Sequence, residues 1–299
     1  MFDTTPHLDC AGRILKLDRP RVMGIINVTP DSFSDGGEHD RLEAAVAHGL
    51  RLAAEGADLL DVGGESTRPG ADEVSVEEEL RRTIPVIERL AKETSLPISI
   101  DTSKPEVMRA AVGAGAGMIN DVMALRRDGA LEAAAELSVV VCLMHMQGEP
   151  RSMQDAPGYD DVVGEVHRFL SDRVFACQMA GIDKKRLVVD PGFGFGKTLE
   201  HNLALLRECA RFAEIAPLLV GLSRKSMIGK LTGREDAGDR VSGSVAAALI
   251  AAERGAAIVR VHDVAATVDA MRVLAAVTSA RTAPARARPA SPAALWDDD

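Results

Sequence analysis

The stretch VVDPGFGFGKT, residues 188–198, decides the fold because it joins an apolar strand to a polar residue and a glycine-rich loop. Its last three residues match the end of a nucleotide-binding P-loop. That motif needs a glycine at position 191 to curl around a phosphate, whereas Pro191 has a fixed φ and no N–H to donate. The alternating glycines also miss the spacing of the dinucleotide fingerprint. The stretch is therefore not a P-loop, and the strand end at Asp190 requires another explanation.

The same order of strand, polar residue and helix recurs eight times along the chain. The apolar runs are RVMGIIN, DLLDVGG, PISIDTS, GMINDVM, VVVCLMHM, LVVDPG, PLLVGLS and AIVRVHD. Ala/Glu/Arg-rich stretches with a 3.6-residue period separate them, and three begin with the spacing of a capping box, namely Asp40 with Glu43, Ser75 with Glu78, and Ser103 with Glu106. Eight such units favour an α/β fold, a closed (β/α)8 TIM-type barrel. An open doubly wound sheet is the alternative, but it gives no reason for the number eight.

Composition supports one domain of this kind. The 299 residues are 46% hydrophobic but only 3% aromatic, which suits parallel strands of aliphatic residues covered by Ala-rich helices. We predict a barrel over residues 21–280 and an N-terminal leader over residues 1–20. Residues 281–299 are rich in proline and small residues without periodicity, so we expect a disordered tail.

Charge and cysteine usage restrict the partners and the compartment. A net charge of −10 argues against nucleic acid as the main partner, because such binding depends on cations facing phosphates. No run is apolar enough for a signal peptide or a membrane span, so we expect no membrane partner. The cysteines are far apart and show no metal-binding spacing, and we interpret them as reduced thiols of a cytoplasmic protein: Cys10, Cys142, Cys177 and Cys209.

Polar residues at the strand ends predict a binding site. They would converge at the carboxyl end of a barrel, where such folds carry their chemistry: Asp61, Asp101, Asn120, Asp190, Lys225, Arg260 and His262. Each alone has a structural explanation, and we interpret His145, between two methionines, as a hydrogen-bonded core residue. Together, carboxylates, an amide and a lysine suit a flat heterocycle rich in N–H donors and carbonyl acceptors. Asn27, at the end of the first strand, would adjoin Arg260 and His262 on the eighth, which gives a cationic subsite suited to phosphate.

Two loops at the same end are rich in turn residues, TPDSFSDGG at 29–37 and GGESTRPGA at 63–71. Their glycines and prolines allow sharp turns, and Phe33, Arg68 and Pro69 are placed to cover a ligand. Either loop alone is also compatible with a solvated loop of no function.

The motifs together resemble the dihydropteroate synthase family. The resemblance covers about residues 21–278 and rests on motifs in family order: INVTPDSFSDGG, GGESTRPGA, SIDT, INDV, MHMQGEPRSMQ, DPGFGFGK, GLSRKSMIG and RVHDV. It implies a TIM-type barrel, a homodimer and a Mg²⁺ cofactor. It also implies two small-molecule substrates, 6-hydroxymethyl-7,8-dihydropterin diphosphate and p-aminobenzoate, which condense to 7,8-dihydropteroate and diphosphate.

The resemblance also implies roles for individual residues. The pterin-binding positions are Asp101, Asn120, Asp190, Lys225, Met144 and Phe195. The positions around p-aminobenzoate are Phe33, Thr67, Arg68, Pro69 and Ser226. The diphosphate positions are Asn27, Arg260 and His262, with Asn27 as the metal ligand. The catalytic residues are Asp101, Lys225, Arg260 and His262.

Simple electrostatics gives these roles a mechanism. Cations at the diphosphate favour departure of the leaving group, and the carboxylates stabilise the positive charge left on the pterin before the arylamine attacks. One alternative is a pterin- or folate-binding barrel without synthase activity, which has no need of the two loops or of the pair Arg260 and His262. A second is an inactive paralogue, which should lack Asp101, Lys225 or Arg260, and all three are present.

Overall fold

A computed structural model describes residues 5–29, 38–66, 73–148, 153 and 157–282. Eight parallel strands form a barrel: β3 Arg21–Asn27, β4 Leu59–Gly63, β5 Ile98–Asp101, β6 Met118–Asp121, β7 Val140–Met144, β8 Leu187–Asp190, β9 Leu218–Val220 and β10 Ala256–Val261. Each strand pairs with the next in the chain, and β10 pairs with β3 to close the barrel. Helices separate the strands along the chain. The predicted (β/α)8 barrel is confirmed, and the open sheet is excluded.

The helices are α1 Glu38–Ala54, α2 Val76–Glu93, α3 Pro105–Gly113, α4 Ala130–Glu136, α5 Val162–Met179, α6 Leu199–Arg207, α7 Cys209–Ala213, α8 Ser226–Thr232, α9 Val241–Glu253 and α10 Val264–Thr282. Most of the aliphatic core lies between these helices and the barrel strands. Because both faces of each strand are covered, strands such as Leu59–Gly63 are buried at every position, as their largely apolar sequences predict.

Strand register brings the polar strand ends to a common level. Asn27 pairs with Gly63, Gly63 with Asp101, and Asp101 with Asn120 across three successive strand pairs. On the other side of the barrel Met144 pairs with Asp190. The carboxyl ends of these strands therefore form one rim.

An antiparallel hairpin closes the opposite end of the barrel. Its strands are β1 (His7–Cys10) and β2 (Arg13–Lys16), within the segment predicted as an N-terminal leader. Leu8, Cys10 and Leu15 are buried against the inward residues at the amino ends of the barrel strands. The hairpin backbone lies so close to Gly117 that a Cβ there would be 2.3 Å from the Cys10 carbonyl oxygen. The hairpin therefore covers the amino end of the barrel.

One of the three predicted capping boxes has a confirmed N-cap. Ser75 is the N-cap of α2, and its side chain accepts the N–H of Glu78 at 3.2 Å. The prediction at Asp40 is wrong, because α1 begins at Glu38 and Asp40 lies in the first turn, where the helix dipole favours a carboxylate.

The prediction at Ser103 is also wrong. The N-cap of α3 is Lys104, and the helix begins at Pro105, whose fixed φ suits the first helical position. The Ser103 hydroxyl donates instead to Asp121.

The remaining predictions about chain organisation have mixed outcomes. α10 continues to Thr282, two residues into the predicted tail, and residues 283–299 lie outside the described residues. The four cysteines are buried free thiols, as expected. Within the described ranges, no helix has both the length and the apolar content needed to cross a membrane.

Candidate active site

The centre of the rim is an arginine held between two carboxylates. Arg260 reaches from β10 across β3 to the next two strands, and its Nε lies 2.6 Å from Asp61 Oδ2 while its Nη2 lies 2.7 Å from Asp101 Oδ2. From β6, Asn120 donates its side-chain N–H to the same Asp61 oxygen at 3.1 Å. Four strands thus contribute to one polar network, and Arg260 and Asp101, both predicted site residues, are in direct contact.

Burial shapes the electrostatics of this network. Burial raises the pKa of Asp101 to about 7, against the opposing effect of Arg260. Burial also disfavours the Arg260 charge, but Asp61 and Asp101 together outweigh it and raise the arginine pKa. Asp61 is fully buried, and its Oδ1 has no hydrogen-bond partner among the described residues. One guanidinium therefore serves two carboxylates, and the network retains acceptor capacity.

A second cluster lies on the other side of the rim, around Asp190 and Lys225. Asp190 Oδ1 accepts the N–H of Gly192 at 2.7 Å, and burial raises the pKa of this carboxyl. Lys225 Nζ donates to the Phe193 carbonyl and lies 4.7 Å from the ring centroid of Phe195, a cation–π distance. Burial lowers the pKa of Lys225 to about 8, against the attraction of Asp190. The cluster combines an acceptor, a cation and an aromatic face.

The glycine loop after β8 is shaped for this cluster. Gly192 has φ +70°, and a Cβ there would lie 1.8 Å from the His145 carbonyl oxygen, so a larger residue cannot fit. Gly194 has φ +80° and donates its N–H to Asn202 Oδ1 at 2.7 Å. Lys197, the lysine that resembled a P-loop lysine, is buried and contacts His145. The loop positions a carboxylate and an aromatic ring, which agrees with the rejection of a P-loop.

The turn that carries Lys225 is held by its neighbour Arg224. Arg224 has φ +59°, an uncommon left-handed conformation for a residue with a side chain. Its guanidinium donates to both oxygens of Asp263, at 3.0 and 2.5 Å, and its N–H donates to Ser244 Oγ at 2.9 Å. These contacts fix the backbone that projects Lys225 towards the rim.

The predicted diphosphate residues lie on two adjacent strands. Asn27 ends β3 and is partly exposed, and His262 follows the neighbouring β10. Ser223 Oγ lies 3.1 Å from the His262 backbone nitrogen and 3.0 Å from its Nδ1. The Ser223 hydroxyl therefore holds the His262 ring at the end of β10.

Apolar residues line part of the site. Met144 is buried with Met146 and Met153, and Phe195 packs against this group. Ser226, assigned to p-aminobenzoate, is the exposed first residue of α8.

The matched family model is described as pterin binding enzyme and covers residues 23–262. Dihydropteroate synthase of Escherichia coli strain K12 is 57% identical over 271 residues, which are 90% of this chain and 96% of that protein. The chain belongs to the dihydropteroate synthase family. This membership makes it a transferase.

Solved structures of the family have the same fold as this chain over most of its length. The Xanthomonas albilineans dihydropteroate synthase with 4-aminobenzoic acid is 69% identical, with a TM-score of 0.88, and the match covers 92% of this chain and 99% of that one. The same enzyme in complex with 7,8-dihydropteroate matches at 66% identity and a TM-score of 0.84, with the same coverage.

The structure of this dihydropteroate synthase family member describes most, but not all, of the predicted site residues. The four predicted p-aminobenzoate positions that lie outside the described residues are Phe33, Thr67, Arg68 and Pro69. The other predicted site residues lie at the carboxyl rim or in the loops that follow it. His145 is a buried, hydrogen-bonded residue, as predicted.

Sequence reasoning undervalued several residues of the site. Asp61 was predicted as one of the rim carboxylates suited to a heterocycle but had no role of its own, although it binds both Arg260 and Asn120. It also missed Ser223 and the contact between Arg224 and Asp263. The available signal for Asp61 was its place in a strand, because a carboxylate inside an apolar strand is buried and needs a partner.

Proposed function

We propose that this enzyme condenses 6-hydroxymethyl-7,8-dihydropterin diphosphate with p-aminobenzoate to give 7,8-dihydropteroate and diphosphate. One observation carries the proposal: Asp101, Asn120, Asp190 and Lys225 converge on the barrel rim, in a chain 66% identical to a synthase whose structure holds 7,8-dihydropteroate. These groups complement a heterocycle with N–H donors along one edge and a carbonyl acceptor.

The pterin end of the site is formed by Asp190, Asn120 and Lys225. Asp190 uses Oδ1 for the glycine loop, which directs Oδ2 towards a ring N–H. Lys225 supplies an N–H donor for a ring carbonyl or nitrogen. Met144 and Phe195 provide apolar surface for the flat faces of the ring. The arrangement therefore recognises the ring by its edge and its faces together.

The leaving-group end is formed by Asn27, Arg260 and His262. In Arg260, Nε and Nη2 are bound to Asp61 and Asp101, so Nη1 is the guanidinium nitrogen left to donate to a diphosphate oxygen. His262 adds its imidazole ring to this end of the site. These donors act on charge that grows on the diphosphate as the C–O bond lengthens, which is where preorganised donors lower a barrier most.

The donor set fits a Mg²⁺ ion that binds together with the diphosphate. Within the described ranges, no three His, Cys, Asp or Glu side chains form a metal-binding group. Mg²⁺ is commonly bound by one or two protein oxygens, by water and by substrate phosphates, and the Asn27 side-chain carbonyl is a hard oxygen ligand of this type. When bound, the ion would supply charge neutralisation to the departing diphosphate.

We further propose that diphosphate leaves before the amine attacks. The electron pair of the C–O bond departs with the diphosphate, and the remaining positive charge is spread over the pterin. Asp101 and Asp190 contact the ring region and stabilise that charge, more strongly in a shielded site than in water. The arylamine nitrogen then forms the C–N bond and loses one proton, for which the released diphosphate is an acceptor, so no protein nucleophile is required.

The p-aminobenzoate end is assigned to Phe33, Thr67, Arg68, Pro69 and Ser226. Ser226 begins α8 directly after Lys225, so an arylamine beside it would lie next to the pterin end of the site. Its location supports Ser226 as a contact for the p-aminobenzoate carboxylate.

Two properties of the whole protein also belong to the proposal, a homodimer and a cytoplasmic location. Exposed apolar side chains on the adjacent helices α9 and α10 support the homodimer: Ile250, Val273 and Val277, which are 38%, 65% and 60% exposed. Covering them would remove apolar surface from water. The four buried free thiols support a reducing compartment.

A pterin-binding barrel without synthase activity is the alternative function. A coupled assay of diphosphate release, with and without p-aminobenzoate, together with chromatographic detection of 7,8-dihydropteroate, separates the two. We expect dihydropteroate to form only when both substrates are present. Binding of the pterin diphosphate without any product would instead establish the binding protein.

A further inference from the structure

We propose that Lys197 and His145 are positioning residues that hold the glycine loop, residues 192–196, where it contacts Lys225. The inference rests on the proposed function, which places Lys225 at the pterin end of the site. Lys197 has the position of a phosphate-binding P-loop lysine in the sequence, and His145 is assigned to no substrate.

Lys197 makes three contacts in the interior. The residue is 3% exposed, and its Nζ lies 2.9 Å from His145 Nδ1, 3.0 Å from the Phe195 carbonyl oxygen and 3.4 Å from the His145 carbonyl oxygen. Burial lowers the pKa of Lys197 well below its usual range, but both the ammonium and the neutral amine carry N–H donors for these acceptors. Among the described residues, Lys197 forms no ion pair with a carboxylate. A buried lysine without an ion pair is unusual. The partners of Lys197 are instead His145, after β7, and a carbonyl of the glycine loop.

His145 is suited to be the acceptor. Burial and the charge of Lys197 lower its pKa to about 3, so the ring is neutral at physiological pH. With Nδ1 accepting from the amine, the proton lies on Nε2. The ring is held edge-on to Phe169, with 4.8 Å between the ring centroids. The acceptor therefore has a fixed position.

The pair connects two segments that touch through their backbones. A Cβ at Gly192 would lie 1.8 Å from the His145 carbonyl oxygen, and one at Gly196 would lie 2.6 Å from the Gln147 carbonyl oxygen. At Gly192 and Gly196 the glycine loop and the segment that follows β7 are therefore too close for a side chain to lie between them. The Tyr159 hydroxyl donates to the Gly196 carbonyl at 2.9 Å, and a second side-chain link lies in the interior. Lys197 supplies it, by bonding a carbonyl of the loop and the ring and carbonyl of His145.

The opposite face of the loop carries the contacts of Lys225. Its Nζ donates to the Phe193 carbonyl and lies over the ring of Phe195. Lys197 binds the carbonyl of the same Phe195 from the interior. Loss of the Lys197 contact would release the Phe195 backbone and, with it, the aromatic surface and the support for the Lys225 ammonium.

The test compares how variants of the full chain affect binding of the pterin substrate and use of p-aminobenzoate. The dissociation constant of the pterin diphosphate with Mg²⁺ is measured by calorimetry, and the KM of p-aminobenzoate is measured at saturating pterin. We expect Lys197→Met to raise the pterin constant at least tenfold and to leave the p-aminobenzoate KM within twofold. Lys230→Met, at an exposed lysine of α8, is the matched control and should change neither.

A second pair of variants separates the hydrogen bond from simple packing. In His145→Gln the side-chain carbonyl can accept from Lys197, whereas in His145→Leu it cannot. We expect His145→Gln to stay within threefold of the unmodified protein and His145→Leu to match Lys197→Met. This pair decides the question if Lys197→Met does not fold.

The inference would be overturned by an unchanged pterin dissociation constant in folded Lys197→Met, or by equal losses in both His145 variants. Equal losses for the two substrates would indicate a general scaffold and overturn it as well. Failure of the proposed function has a different signature, because the unmodified chain would then form no dihydropteroate from the two substrates.

Discussion

At the scale of single residues, Asp190 has two tasks. One oxygen accepts the Gly192 N–H at 2.7 Å and fixes the start of the glycine loop, and the other is left for a ligand. The proposed ring N–H donors require an acceptor at that second oxygen. An asparagine could keep the loop contact only by turning its NH2 group towards those donors.

We therefore predict that Asp190→Asn weakens pterin diphosphate binding by about 10- to 100-fold, the equivalent of about 1.5–3 kcal/mol for a lost charged hydrogen bond. The p-aminobenzoate KM at saturating pterin should change little. Calorimetry checks the first value and steady-state kinetics the second. Asp128→Asn, at an exposed carboxylate, is the control. Unchanged pterin affinity would make Asp190 a purely structural residue.

Two site residues, Asp101 and Lys225, have pKa values near neutral pH, which gives a second prediction. Asp101 becomes a carboxylate as the pH rises through about 7, which should strengthen pterin binding, and Lys225 loses its charge above about 8, which should weaken it. We expect binding of 6-hydroxymethyl-7,8-dihydropterin, a probe without titrating phosphates, to be tightest between pH 7 and 8. Lys225→Met should remove the decrease at high pH and keep the rise. A profile that is flat from pH 6 to 9 would contradict both assignments.

Sequence could identify most of these residues but not their pairing. The polar strand ends indicate that Asp101 and Arg260 share a rim, because strand order places them there. Strand order does not indicate that Arg260 bridges Asp101 and Asp61, since these contacts join residues 159 and 199 positions apart. Such pairing depends on how far a side chain reaches across a closed barrel, and this is a property of three-dimensional distance.

At the scale of elements, a buried lysine joins three parts of the barrel wall. Lys104, the N-cap of α3, is 2% exposed, and its Nζ lies 2.5 Å from Glu79 Oε2 on α2 and 2.5 Å from Glu65 Oε2 in the segment after β4. Glu65 also accepts the N–H of Val74 at 3.3 Å. The ion triad therefore ties the exit of one strand to two helices.

Removing one partner of this ion triad should lower the free energy of unfolding more than removing two. Lys104→Met leaves Glu79 buried and unpaired, and we predict a loss of about 3–5 kcal/mol in the free energy of unfolding. Lys104→Met combined with Glu79→Gln removes the uncompensated charge and should recover part of that loss. Urea unfolding followed by circular dichroism measures both. A double variant less stable than the single one would contradict the account.

The N-terminal hairpin shows why some elements were not predicted. Its strands have four residues each and are joined at Ala11 and Gly12, both with positive φ. The usual signal for such a turn is Asn-Gly or Asp-Gly, and Ala-Gly lacks it. The hairpin is stabilised by burial of Leu8 and Leu15 against the barrel, so its main support comes from residues far away in sequence. The barrel strands, in contrast, are marked by their own continuous apolar runs.

At the scale of the whole molecule, the fold makes the carboxyl rim the place for chemistry. The hairpin covers the amino end of the barrel, and the strands bring their polar ends to the opposite side. The count of eight units was enough to predict this geometry from sequence. Loops 29–37 and 63–71 were predicted from their turn residues, but the p-aminobenzoate assignments within them came from family motifs, because short turn-rich segments carry no periodic signal.

The division of the rim into a leaving-group side and a pterin side leads to the last prediction, that C–O cleavage precedes attack by the amine. The informative variant on the leaving-group side is His262→Ala. Arg260→Ala would leave Asp61 and Asp101 facing each other without their cation, and the resulting instability would obscure the rate. His262→Ala should slow cleavage by about 10²- to 10³-fold, as for loss of one preorganised donor.

The order of events can be measured in a single turnover with pterin diphosphate and Mg²⁺ but without p-aminobenzoate. If cleavage comes first, enzyme-bound diphosphate or scrambling of an ¹⁸O label in the bridging position appears without the amine, and His262→Ala slows it. Phe33→Ala, at a position assigned to p-aminobenzoate, should leave cleavage unchanged and raise the p-aminobenzoate KM. In a direct displacement the amine takes part in breaking the bond, so neither signal can appear without it. Strict dependence on the amine, in a site shown by calorimetry to be saturated with the pterin, would therefore establish displacement, and the carboxylates Asp101 and Asp190 would then serve binding alone.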